Sequence, residues 1–299
     1  RGGEEAAGLD KTAELGYSRN GAERMVAGMF TAFKALCSMV SVNIQFAGQT
    51  LSMAALELRK RYSGSTIGVL WAVVRPAVFV SVYWFGIQLG IRGNRPMDEA
   101  PFILWLLAGI LPWFFVADVL SSCGHALVSN RHLITRAVFP VSTIPTFTVL
   151  HLFFVHLALT AVTVAVFAFS GFGVGVYLLQ LPYYMLCLFA MMWAVSVFFS
   201  ACSAVSRDFE HMLKSAIQVF FWITPILWKA DMIPAGLRFV IRLNPVAYIV
   251  DGYRNVFIYE RWFFENLKWT TYFWAFLLVF LLTGAHLFKR LEKEFADIL

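Results

Sequence analysis

The chain has 299 residues, of which 60% are hydrophobic, 17% aromatic and only 14% charged, with a formal net charge of +6. So apolar a composition excludes an ordinary soluble domain. The basic residues are scattered rather than gathered on one soluble face, which excludes nucleic-acid binding. In chain order, the first 24 residues are polar and mixed in charge, without the apolar core of a cleavable signal peptide. We read residues 1–28 as a polar extension. In 29–65, Met29, Phe30, Phe33, Leu36, Cys37 and Val40 recur at helical spacing, with Lys34, Ser38 and Ser41 between them. A second helical stretch then ends in Leu58-Arg59-Lys60-Arg61-Tyr62. An apolar stripe closed by a basic cluster predicts an amphipathic helix in the inner membrane interface, the alternative being packing against a helix bundle.

Membrane crossings follow in residues 66–289. The first is predicted over 66–91, with Arg75-Pro76 inside it, and the second over 102–120. The next signal is the strongest. Ala137 to Ser206, seventy residues, contains no Asp, Glu, Lys or Arg. That is too long for one crossing and sufficient for two, since about 20 apolar residues span the hydrocarbon core. The glycine-rich stretch Ser170–Gly175 divides it into crossings at 141–169 and 177–205. A fifth crossing, 212–228, is short and interrupted by Pro225, and the sixth is 269–288. Residues 290–299 form a tail. The fold class is thus all-α and polytopic, with six transmembrane helices.

Charge sets the orientation. With the N-terminus inside, the inner segments carry 15 Lys and Arg and the outer segments eight, six of them between crossings five and six. Both termini are therefore expected in the cytoplasm. The outer stretch Ile233 to Tyr259 alternates apolar patches with Arg238, Arg242 and Arg254, and Asn244-Pro245 breaks it. It is too apolar for a solvated loop and too charged to cross, so re-entrant or interfacial helices are predicted before the last span.

Chemistry is conspicuous by its absence. No glycine precedes a lysine, so the chain lacks the G-x-x-x-x-G-K-[ST] phosphate loop, and H-E-x-x-H and G-x-S-x-G do not occur. The four isolated cysteines, Cys37, Cys123, Cys187 and Cys202, read as small hydrophobes. His151 and His156 lie five apart, which is not one helical face, and offer no metal site. The spans hold no carboxylate except Asp118 near the end of the second. Ion-driven transport ordinarily uses carboxylates at that depth. Arg75 is the one clear intramembrane charge: it either snorkels to the inner headgroups or meets an anionic group in a pathway. Two polar inner loops, one with Asn130, Arg131, His132 and Arg136 and the other with Arg207, Asp208 and Glu210, either dock a cytoplasmic partner or cap their helices in water. A membrane-embedded sugar or acyl transferase is the competing class. It would rest on Asp118, His125 and His132, which form no recognised constellation.

An ordered set of motifs resembles the permeases of ABC-2 type polysaccharide exporters. It comprises Tyr62 to Trp71, then Pro76, Val82-Tyr83-Trp84-Phe85, Trp105 to Gly109 with Pro112-Trp113-Phe114-Phe115, Phe139-Pro140, Arg207-Asp208, Thr224-Pro225-Ile226, Asn244-Pro245 and Phe295-Ala296-Asp297. Within the family, Val82 to Arg92 and Asp251-Gly252-Tyr253-Arg254-Asn255 are most similar to the teichoic acid translocation permease. Relatives of that permease export O-antigen or capsule. Arg75 departs from the pattern, standing where such permeases commonly carry Asn.

The resemblance implies a transport subunit without an ATPase motif of its own, and no metal or cofactor in the chain. ATP and Mg would be bound by the partner ATPase. It implies a homodimer in the bacterial cytoplasmic membrane, with two ATPase subunits below and a polyprenyl-diphosphate-linked anionic polymer as cargo, wall teichoic acid foremost. Expected on the pathway or at the lipid headgroup are Arg59, Lys60, Arg61, Tyr62, Trp71, Arg75, Tyr83, Trp113, Arg238, Arg242 and Arg254. The two inner loops named above would couple to the ATPase.

Overall fold

The computed structural model describes residues 27–91, 100–136, 139–172 and 175–295. The polar extension therefore lies almost wholly outside the described residues, as do Ala296 and Asp297 of the tail motif, Arg92 and the side chain of Arg136. The described residues are helical, with no strand among them. Helix α1 (Ala27–Gln45) and α2 (Ala47–Tyr62) meet at a turn at Phe46. Helix α3 (Trp71–Trp84) continues as a π-helical stretch, Phe85–Ile91. Then come α4 (Phe102–Cys123), the short α5 (Ala126–Ser129) and α6 (Arg131–Arg136), and the long α7 (Ile144–Phe169) and α8 (Leu181–Val205). Helix α9 (Asp208–Ile223) precedes two short helices, α10 (Ala235–Arg242) and α11 (Pro245–Arg254), and α12 (Leu267–Leu291) closes the chain.

Prolines mark several of these boundaries. Pro145, Pro182 and Pro245 stand in the first turns of α7, α8 and α11, where a missing N–H costs nothing. Asn244 caps α11 by accepting from the Val246 N–H at 3.0 Å. Helix α9 stops before Pro225, because the residue ahead of a proline is pushed out of the α region, and Thr224 is extended. Pro76 and Pro112, by contrast, lie within α3 and α4. At the end of α7, Gly171 takes a positive φ of 79°, which only glycine adopts without strain.

Among the described residues, six stretches are long and apolar enough to cross a membrane: Ala27–Gln45, Gly68–Ile91, Phe102–Cys123, Val141–Phe169, Val176–Val205 and Phe263–Leu291. The set includes α1 and omits α9, whose 16 residues reach about 24 Å. The protein is thus a multi-pass, all-helical membrane protein.

Helix α4 is the hub. It packs against α3, α7, α8, α9 and α11, and Trp105, Leu106, Ala108, Ile110 and Val119 on it are essentially inaccessible. Arms α7 and α8 of the charge-free run pack side by side, and α8 also lies along α12. Helix α11 is buried between α4, α8 and α12, so the segment before the last span folds back into protein. Helices α1, α3 and α9 are sparsely covered: Met29, Phe30, Phe33, Val78, Phe79, Val82, Val219 and Trp222 are exposed. Cys123, Cys187 and Cys202 are buried and Cys37 is exposed.

Candidate functional site

Three concave regions organise the residues singled out from the sequence. The first lies between α2, α3, α4 and α9 and encloses about 660 Å3. Arg61, Tyr62, Trp71, Arg75, Tyr83 and Trp113 all line it, so six residues expected on a pathway share one wall. At one end Arg61 Nη2 donates to Asp118 Oδ2 at 2.8 Å, joining α2 to α4. Arg75 stands one helical turn after Trp71, exposed on α3. Aromatic rings floor the remainder: Phe221 of α9 lies 5.6 Å from Tyr83 and 5.5 Å from Trp113 between centroids. The region therefore has a cationic end and an aromatic body. Sequence reading passed over Phe221, whose role needs the crossing of α9 over α4. It weighed Asp118 only for other functions, because a lone carboxylate does not reveal its partner.

The basic cluster ahead of α3 does not act as one patch. Arg59 is exposed, Lys60 pairs with Glu57 at 2.8 Å, and Arg61 is turned to Asp118. Lys60 and Arg61 do line a second, smaller recess of about 450 Å3 together with His125, Asn130 and His151.

The end of α4 meets the start of α9 beside that recess. His125 Nδ1 lies 3.5 Å from Glu210 Oε2, and Lys214 donates to Glu210 Oε1 at 2.7 Å. The Lys214 hydrogen bond holds the Glu210 carboxyl below the ordinary carboxylate range. A side chain at Gly124 would press on the Glu210 backbone, its Cβ 3.2 Å from Cα, so the end of α4 lies close against the start of α9. Asp208 and Glu210 occupy the first turn of α9, where negative charge suits the helix dipole. Arg131, His132, Arg207 and Asp208 are exposed there. Asn130 is a correction: it is only 7% exposed and donates to the Ala126 carbonyl at 2.9 Å, so it finishes α5 rather than offering a docking group.

The third region, about 690 Å3, lies between the start of α12, helix α11 and the segment around Lys229. Arg238 and Arg242 share helix α10 but engage different partners. Arg238 donates to the carbonyls of Ile233 and Asp231, both at 2.9 Å, and so braces its own loop. Arg242 instead lies 5.4 Å over the Trp269 ring and lines the cavity.

Arg254 corrects the sequence reading most sharply. Its side chain is only 2% exposed. Nη1 donates to the Pro225 carbonyl at 2.6 Å and Nη2 to the Ile226 carbonyl at 2.7 Å. The guanidinium lies 3.5 Å over the Trp105 ring, above Gly109, where any Cβ would stand 2.4 Å from Nη2. Arg254 is a staple between α11, α4 and the broken end of α9. A sequence shows an arginine in an apolar stretch but not the carbonyls that receive it.

Comparison with known proteins places these features in a family. The model of the ABC-2 type transporter family matches residues 48–258. The chain is 29% identical to an O-antigen export system permease protein, RfbA, of Klebsiella pneumoniae over 81% of its own length and 92% of that protein's. It is 25% identical to an RfbA permease of Myxococcus xanthus, with 85% and 96% coverage. It is 23% identical to the polysialic acid transport protein KpsM of Escherichia coli, with 83% and 96% coverage. With the family match running from α2 through α11, across the first cavity and most of the third, the chain belongs to the ABC-2 type transporter family.

Proposed function

We propose that this chain is the membrane permease of an ATP-driven exporter of a lipid-linked polysaccharide of the O-antigen or capsule type. The observation that carries the proposal is the inner cavity. A cationic end at Arg61 and Arg75 beside an aromatic body suits a carrier in which a charged diphosphate joins a sugar chain to a lipid. The relatives named for O-antigen and polysialic acid supply the substrate class. Wall teichoic acid is the second reading, favoured by the likeness of Val82 to Arg92 and of Asp251 to Asn255 to the teichoic acid permease.

The working unit in this proposal is a homodimer in the bacterial inner membrane, with both termini cytoplasmic. The sparsely covered α3 and α9 faces are turned to the second copy, which keeps Arg75 out of lipid. Two ATPase subunits bind ATP and Mg and meet the Arg131–His132 and Arg207–Asp208 loops from below. Deleting the coding sequence tests the proposal. Cells should lose surface polysaccharide and accumulate its lipid-linked precursor inside, and expression of the chain should restore export. A deletion strain with unchanged surface polymer would refute it. The chemical identity of the retained polymer decides between glycan and teichoic acid.

A further inference from the structure

The smaller recess, of about 450 Å3, opens between the last turns of α2, the end of α4 with α5, and the first half of α7. Its charged groups come in pairs. Lys60 is joined to Glu57, and Arg61 to Asp118, which stands just outside this wall, each at 2.8 Å. These four side chains carry no net charge between them. Each cation gives its carboxylate one N–H and keeps others for a ligand. The exposed His125 on the same wall is turned to Glu210.

The buried part of the wall offers acceptors instead. His151 is only 7% exposed, and its Nδ1 lies 3.1 Å from the Phe147 carbonyl. A carbonyl can only accept, so Nδ1 carries the proton, and Nε2 of the neutral ring is left as an acceptor. Nε2 has no partner among the described residues. Asn130 is held in the same way. Its Nδ2 donates to the Ala126 carbonyl, which fixes the amide and leaves Oδ1 to accept. Two nearly buried acceptors that share one recess call for a ligand that donates.

We infer that this recess binds a phosphate ester bearing a primary ammonium, the chemistry of a phosphatidylethanolamine headgroup. The inference goes beyond the export reading and does not depend on the cargo. Lys60 and Arg61 meet the phosphate. The ammonium finds Glu57, His151 Nε2 and Asn130 Oδ1, three acceptors for three N–H groups. A zwitterion suits a site whose charges cancel in pairs. A headgroup of net negative charge would draw Lys60 from Glu57 and supply nothing in return. Choline brings a positive charge but no N–H, and quaternary ammonium groups are held by aromatic cages. The one phenyl ring on this wall, Phe147, is fully buried. On α2 itself, Leu51 and Leu56 are exposed and give acyl chains an apolar surface.

The test is native mass spectrometry of the purified full chain, titrated with lipids of matched acyl chains. Phosphatidylethanolamine should bind saturably and about tenfold more tightly than phosphatidylcholine. Its mono- and dimethylated forms should fall between them as N–H groups are removed. Phosphatidylglycerol should bind more weakly than phosphatidylethanolamine, and Glu57→Gln should narrow that gap. His151→Phe, which keeps a ring, should weaken phosphatidylethanolamine by about tenfold and leave phosphatidylcholine unchanged. A misfolded variant would lose both lipids alike, so the phosphatidylcholine reading separates the site from the fold. Soluble phosphoethanolamine, titrated in parallel, distinguishes the sources. Weaker binding than the lipid assigns the site to the membrane, and equal binding assigns it to the free ester. A flat methylation series overturns the inference. So does phosphatidylglycerol binding as tightly as phosphatidylethanolamine, or unchanged phosphatidylethanolamine affinity in both Glu57→Gln and His151→Phe.

Discussion

Replacing Arg254 with Met tests whether a buried arginine holds the re-entrant segment in place. The side chain donates two charge-assisted hydrogen bonds, at 2.6 and 2.7 Å, and lies over Trp105 at 3.5 Å. Hydrogen bonds to a charged group contribute about 1.5–3 kcal/mol each, and a desolvated cation–π contact about 2 kcal/mol. Against them stands the cost of taking the guanidinium out of water, several kcal/mol. Methionine recovers the apolar part of the packing but leaves the Pro225 and Ile226 carbonyls without this donor. The net loss should be about 2–5 kcal/mol, since each buried carbonyl left without a donor costs about 1–3 kcal/mol. For a chain of this size that corresponds to a fall in melting temperature on the order of 10 °C. Fluorescence-detected size exclusion after heating, in one detergent for all variants, reads it directly. Gly109→Ala is the independent arm, because its Cβ would stand 2.4 Å from Nη2 and must displace the guanidinium from Trp105. The double variant should lose less than the sum of the two, since both substitutions attack one contact. An Arg254→Met protein as heat-stable as the parent, or strict additivity with Gly109→Ala, would refute the staple.

Three further outcomes follow from the geometry. Asp118→Asn should leave the protein folded, since its ion pair with Arg61 is part-exposed and such pairs contribute about 0–1 kcal/mol, while Arg61→Gln should reduce polymer export measured at the cell surface; equal export by the Arg61→Gln strain argues against a headgroup role. Cysteines at His132 and Arg207, introduced after replacement of the exposed Cys37, should crosslink to the partner ATPase, and labelling by an impermeant reagent from outside the cell would reverse the proposed orientation. Gly252→Ala should destabilise the fold by about 1–3 kcal/mol through overpacking, because its Cβ would fall inside the Tyr184 ring; a variant with unchanged heat stability in the same detergent would show that α8 and α11 separate at no cost.

The helical bundle was legible because charge-free length is a local property. Seventy residues without Asp, Glu, Lys or Arg need no knowledge of neighbours to be read as two membrane helices. The inner cavity was legible in its residues but not in its shape. Tyr62, Trp71, Arg75, Tyr83 and Trp113 could be singled out, whereas the ring of Phe221 and the Arg61–Asp118 pair depend on where α9 and α2 cross α4. The outer arginines were the least legible. Arg238, Arg242 and Arg254 look alike in the sequence, yet one braces a loop, one lies over a tryptophan and one is buried on two carbonyls. What separates them is the set of acceptors within reach, which spacing does not encode.

The same physics explains why separate motifs belong together. Thr224-Pro225-Ile226 ends α9 in the protein interior, where a carbonyl left without a donor costs several kcal/mol. The Pro225 ring removes an N–H and turns the chain, and the break then presents two carbonyls at once. Both are answered from the segment that follows. Arg254 donates to Pro225 and Ile226, and Asn244 Nδ2 donates to Thr224 Oγ1 at 2.8 Å while its Oδ1 caps α11. The stop of α9, the start of α11 and the end of α11 are therefore one hydrogen-bonded node assembled from Thr224-Pro225-Ile226, Asn244-Pro245 and Asp251 to Asn255. Trp105 and Gly109 complete it from α4 by providing a ring for the guanidinium and the space it occupies. A broken helix inside a membrane protein needs a donor, the donor needs a cavity without a Cβ, and the cap that restarts the chain sits beside it. Residues scattered over 150 positions form one set because each satisfies a demand created by another.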